Sequence, residues 1–206
     1  MSSYLTLARD ARVEIEVKHS RFLCTLQRVP SEAEARALVA ALRKEHWDAR
    51  HHCSAFVLGP DSAVQRSSDD GEPAGTAGAP MLEVLRGAGV SDVVAVVTRW
   101  FGGTLLGAGG LVRAYGDTVR LAVESAGTLR RDLVTEFEVS LDHGSAGRVE
   151  NELRARGLVV LASAYGDRVT LLVGSTTPAS VAPLVAEVTG GEATAEQVGE
   201  RWVDAG

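Results

Sequence analysis

The chain has 206 residues, 45% hydrophobic and 23% charged, the make-up of a globular protein with one large domain or two small ones. Its formal charge of −6 is uneven: residues 1–130 carry 15 basic and 15 acidic side chains, residues 131–206 carry 6 and 12. That balance excludes a broadly basic nucleic-acid face, so any RNA contact must rest on a local arginine patch in the first part. No run approaches the roughly 18 apolar residues of a membrane helix, and the start MSSYLTLARDARVE lacks a signal-peptide pattern. Cys24 and Cys53 make no disulfide framework, so a cytoplasmic protein is expected.

In chain order, Arg12–Val17 and Arg21–Val29 alternate around KHS and read as a hairpin. Ser31 with Glu34 three residues on forms a capping box, and Ala35, Leu38, Val39 and Leu42 follow at helical spacing. His52–Leu58 is a strand, apolar on both faces beyond its start. Residues 59–80 are rich in the turn formers Gly, Pro, Asp and Ser and read as one long polar loop. Helix is expected over Thr76–Arg86, with Pro80 tolerable only near its first turn. DVVAVVTRWF reads as a central, doubly covered strand, and Leu111–Ser125 as a helix.

From Leu133 the pattern restarts with alternation through Leu141. A helix over SAGRVENELRARG, strands Leu158–Ala164 and Arg168–Val173 joined by YGD, a helix through Val181–Val188 and a strand Thr194–Val203 follow. The order β-α-β-β-α-β is that of a ferredoxin-like unit. The expected division therefore falls at residue 130, with domains 1–130 and 131–206 in an α+β protein.

Three stretches carry candidate chemistry. TRWFGGTLLGAGGLVRAYGD places six glycines in twenty residues that follow a buried strand and open a helix, with Arg99 before them and Arg113 after the densest run. Helix N-terminal amides bind anions in such a setting, but small residues also serve plain strand–turn–helix packing. The stretch is neither a Walker A loop nor a dinucleotide fingerprint, since Val112 stands where the third glycine belongs. RHHCSAF offers His51, His52 and Cys53, but strand alternation sends His51 and Cys53 one way and His52 the other, against a zinc site. SDDGEPAG gathers Asp69, Asp70 and Glu72, which suits a hard cation, a turn before a helix N-terminus, or pairing with Arg99 or Arg113.

Together ARHHC (Ala49–Cys53), SDDGEPAGTAGAPML (Ser68–Leu82) and RWFGGTLLGAGGLVRAYG (Arg99–Gly116) resemble the YigZ/IMPACT family. The resemblance covers residues 12–130 and, at the level of pattern, the second domain. It implies an N-terminal domain with a ribosomal-protein-like left-handed βαβ fold, followed by a ferredoxin-like domain. The same pair of folds resembles the last two domains of elongation factor G, an analogy of fold that favours a ribosome or RNA surface over a substrate cleft. In eukaryotic relatives the domain is linked to translational control.

The expected function is regulation of translation through RNA, the ribosome or a translation-associated protein. The alternative is a metal-dependent hydrolase of phosphoester or peptide bonds, with Asp69, Asp70 and Glu72 as ligands and His51 or His52 as base. The binding reading uses Arg99, Gly102, Gly103, Gly107, Gly109, Gly110 and Arg113, with Asp69, Asp70, Glu72, His51 and His52 alongside. No cofactor, metal or membrane partner is expected.

Overall fold

A computed structural model describes residues 2–205. The chain separates into two compact units, one spanning Ser3–Arg130 and one beginning at Arg131. The first opens with β1 (Ser3–Leu7), a strand that the sequence reading left out. Its Leu5 carbonyl accepts from the Ser91 amide at 2.8 Å, and the Tyr4 hydroxyl donates to the Asp92 carboxylate.

The central sheet of this unit is antiparallel throughout, in the order β2-β3-β6-β4-β5. Here β2 is Ala11–Val17, β3 Ser20–Arg28, β4 His51–Leu58, β5 Val64–Ser68 and β6 Val93–Trp100. The β2–β3 turn takes two residues, Lys18 and His19, at φ 48° and 66°. That left-handed pair matches the twist of a hairpin.

Helices cover both faces. The first, α1 (Glu32–Glu45), begins at Ser31, whose Oγ accepts from the Glu34 amide at 3.3 Å. It packs on Phe56, Leu58, Val94 and Val96. On the other face lie α2 (Gly78–Gly87) and α3 (Ala108–Ala126), against Phe22, Cys24, Cys53, Val93, Ala95 and Val97. Alternate residues of β6 thus enter two cores, and its unbroken apolar run is the sequence of a strand covered on both sides. Residues 59–80 are not one loop, because β5 pairs with β4 as an edge strand. Only its Val64 joins a core, so the sequence gives β5 no apolar alternation to betray it.

The second unit takes β7 (Thr128–Leu141) from Arg131 onward, then α4 (His143–Ala155), β8 (Val159–Tyr165), β9 (Val169–Ser175), α5 (Val181–Thr189) and β10 (Ala195–Asp204). Within this unit the strands pair antiparallel in the order β10-β7-β9-β8, which is ferredoxin-like. Phe137, Val139, Leu141, Leu171 and Val173 meet Val149, Leu153, Val181 and Val185 in its core. The chain is an α+β protein, as its sequence pattern predicts.

Because this core is closed within residues 137–195, a fragment of residues 131–206 is expected to fold alone. A dispersed nitrogen–proton NMR spectrum is the expected result. A collapsed spectrum would show that the fragment needs the rest of the chain, a real demand on a unit of only about 75 residues.

Candidate functional site

The end of the first sheet where β3, β4 and β6 meet is closed by buried polar side chains. Arg99 pairs across β6 with Phe22 of β3 and His51 of β4, on the face that carries α2 and α3. Its residue is only 5% exposed. One guanidinium nitrogen donates to Glu72 Oε1 at 2.6 Å, another to Ser20 Oγ at 3.4 Å. The guanidinium also lies 5.3 Å from the centre of the Phe22 ring and 5.8 Å from that of Phe101. The Tyr115 hydroxyl of α3 donates to the same Glu72 oxygen at 2.7 Å. Cys53 sits behind it, Sγ 3.3 Å from the Tyr115 oxygen and 3.0 Å from the Asp69 carbonyl. Burial pushes the Cys53 thiol up to about 12 and raises the Tyr115 hydroxyl further. Both are protonated donors rather than nucleophiles.

The acidic stretch is divided among three tasks. Asp69 accepts from the amides of Gly75, Ala77 and Gly78 at 2.8, 3.0 and 2.8 Å, closing the loop onto the start of α2. Burial works to raise its carboxyl, but the three N–H bonds outweigh that and hold it below its ordinary value. Asp70 takes a left-handed backbone, φ 42°. Its carboxylate accepts from the His52 amide at 2.6 Å and from Arg43 of α1. Glu72 belongs to Arg99. No group of three or more His, Cys, Asp or Glu side chains suited to a metal ion occurs among the described residues.

The two histidines diverge as strand alternation requires. His51 Nδ1 lies 2.8 Å from the Asp70 carbonyl. A carbonyl can only accept, so Nδ1 donates the hydrogen of that bond. His52 faces α1, buried, with its Nε2 unpartnered, and burial lowers its pKa.

The glycine stretch serves more than one purpose. A Cβ on Gly102 would stand 2.0 Å from the His19 carbonyl carbon, so the β2–β3 turn passes where any other side chain would be. Gly107 is the N-cap of α3 at φ 73° with no side-chain cap. The first bond of the helix is Leu111 N to Gly107 O at 3.0 Å. The amides of Ala108, Gly109 and Gly110 therefore lack intrahelical acceptors. A Cβ on Gly109 or Gly103 would meet open space.

A cleft of about 380 Å³ opens here, lined by Arg50, His51, Glu72, Pro73, Arg99, Phe101, Leu105, Leu106, Gly107, Ala108 and Leu111. Leu105 is 82% exposed and Phe101 45%. The structure thus brings Arg99, Glu72, His51 and Gly107 together. It turns Asp69, Asp70 and His52 to other partners and places Gly102 beneath the hairpin turn. Arg113 is exposed on the solvent side of α3 and outside the cleft lining. Arg50, Phe101, Leu105 and Tyr115 were not singled out from sequence. Phe101 and Leu105 were apolar residues inside a glycine loop, a signal that could have found them.

Residues 18–123 match the family described as Impact N-terminal domain, and residues 139–189 match Domain of unknown function (DUF1949). The chain belongs to the IMPACT family. It is 44% identical to IMPACT family member YvyE of Bacillus subtilis over 82% of this chain and 78% of that one. It is 46% identical to IMPACT family member YigZ of Escherichia coli over 73% and 74%. A solved structure described as a hypothetical protein is 39% identical, with a TM-score of 0.66 over 96% of this chain and 98% of its own. The two-domain translational regulator Yih1 is 31% identical over 60% of this chain and 47% of its own; its TM-score of 0.38 is too low for that overlay to bear on the fold.

Asp69 yields a prediction in pH. Its folded-state carboxyl lies below the ordinary 3.8, so its stabilisation is present above that value and is lost as pH falls through the folded value. Asp69→Asn is expected to cost about 1–2 kcal/mol at neutral pH, as for a lost helix cap. The penalty should shrink in strong acid. Thermal melts of both proteins down the acid limb check this, and parallel curves would contradict it.

Proposed function

We propose that this IMPACT-family chain regulates translation by binding a translation-associated protein, and that the glycine-loop cleft is the contact. One observation carries the reading: the cleft mouth combines exposed Phe101 and Leu105 with Arg50 and the open first turn of α3. Arg50 makes no hydrogen bond or ion pair among the described residues. An apolar anchor beside a few unpaired donors is the chemistry of a protein contact carrying a carboxylate, seated where the helix dipole favours it. Arg99 is the floor of this site rather than a free cation, because Glu72 already neutralises it. The overall charge of −6 also works against an extended phosphate track.

The hydrolase alternative gains no support from the geometry. Its three carboxylates bond to different partners, and its two histidines face opposite sides of the sheet.

Family membership supports the link to translation, since the resemblance of the motifs implies it. Co-sedimentation with ribosomes, with and without nuclease digestion of unprotected RNA, tests the reading. Leu105→Asp is expected to weaken association roughly ten- to hundredfold, the value of one well-buried leucine. Arg50→Ala should weaken it less, and nuclease should leave both results unchanged. Undiminished association of folded Leu105→Asp would refute the cleft as the contact. Loss of association on nuclease treatment would assign the contact to RNA.

A further inference from the structure

On the other face of the first sheet, α1 and edge strand β5 enclose a second cavity of about 380 Å³. Its wall is apolar: Ala35, Val39 and Ala40 of α1, with Phe56 of β4. Its rim is not. Ser54 and Phe56 of β4 stand opposite Ser68 and Arg66 of β5, so these four share one side of the sheet. Phe56 belongs to the core under α1, which fixes that side as the one facing α1. Arg36 and Arg43 reach the same cavity from the helix.

The lining therefore holds three guanidiniums and several hydroxyls, with no carboxylate. Arg36 is held by Glu32 at 2.5 Å and Arg43 by Asp70, both acids outside the lining. Among the described residues Arg66 has no acidic partner; one of its nitrogens donates to the Gln65 carbonyl at 2.9 Å and no other bond of its fork occurs there. The Ser68 hydroxyl accepts from the Asp70 amide at 3.3 Å, which leaves its own hydrogen to give. Guanidinium and hydroxyl donors around one space match the several acceptor oxygens of a phosphate dianion better than the two of a carboxylate. Inorganic phosphate would leave most of that volume and its apolar wall unused.

We propose that this cavity binds a small phosphomonoester with a planar or apolar body, of the size of a nucleoside monophosphate. Arg66, Ser54 and Ser68 hold the phosphate, and Phe56 and Val39 receive the body. This site is independent of the glycine-loop cleft, which opens on the opposite face.

Titration of the full chain with adenosine 5′-monophosphate, followed by nitrogen–proton NMR, tests the assignment. Amides of α1 and β5 are expected to shift saturably in the millimolar range or below. Adenosine alone and inorganic phosphate alone should each bind at least tenfold more weakly. Arg66→Ala should weaken the monophosphate roughly ten- to hundredfold, the loss of a charge-assisted bond. Arg66 is exposed, so the variant should keep its melting temperature. Leu105→Asp, which probes the other cleft, should bind the monophosphate normally. No saturable shifts, or equal binding by Arg66→Ala, would overturn the proposal. So would tighter binding of a 5′-phosphorylated tetranucleotide, which would make the site a receiver of RNA ends.

Discussion

Arg99 and Glu72 lie 2.6 Å apart with both side chains under one-tenth exposed, and neither charge can be left there without the other. Removing one partner of such a pair strands a charge in a medium that cannot solvate it. The pair is also where separate parts of the chain are joined. Arg99 is the last residue but one of β6, Glu72 sits in the loop after β5, and Tyr115 of α3 donates to the same carboxylate oxygen. Ser20, bonded to Arg99, also accepts the Gly102 amide at 3.1 Å, which ties in the hairpin and the glycine loop. One carboxylate thus fixes the position of the loop, the helix and the strand end that form the cleft.

That arrangement gives the acidic and glycine-rich stretches distinct duties. Asp69 closes its loop on the start of α2, Asp70 bridges to α1, and Glu72 neutralises the buried arginine. Gly102 lets the hairpin turn lie against β6, where a side chain has no room. With these groups engaged in structure, the free chemistry lies at the rim: Arg50, His51 Nε2, the first amides of α3 and the exposed apolar side chains. A rigid base beneath a small open set of donors suits recognition, because the donors need no reordering on contact.

Much of the fold was legible in sequence because burial writes itself into periodicity. The continuous run Val93–Val97 specified a strand with helices on both faces, and the alternation from Leu133 to Leu141 opened the ferredoxin-like order. Ser31 and Glu34 marked the start of α1 correctly. What failed had no local signature. Gln65 to Ser68 are polar, and only pairing with β4 makes them a strand. For the candidate site, the three motifs converged in sequence, but the partition of their charges did not show. Pairing of Asp69, Asp70 or Glu72 with Arg99 or Arg113 stood as one of several readings, because sequence displays charge and not depth; the structure pairs Glu72 with Arg99. The two stand 27 residues apart, a separation that no local pattern encodes.

The dependence of the glycine-loop region on the buried pair is tested most directly by a double-mutant cycle on Arg99 and Glu72. Urea unfolding of Arg99→Met, Glu72→Gln and the double variant supplies the free energies. Each single change is expected to cost about 3–5 kcal/mol, the usual effect of breaking a buried pair from one side. The double variant should cost less than the sum by at least about 2 kcal/mol, because no charge is then stranded. Additive losses, with coupling below about 0.5 kcal/mol, would contradict the account and make the pair a bystander in the fold.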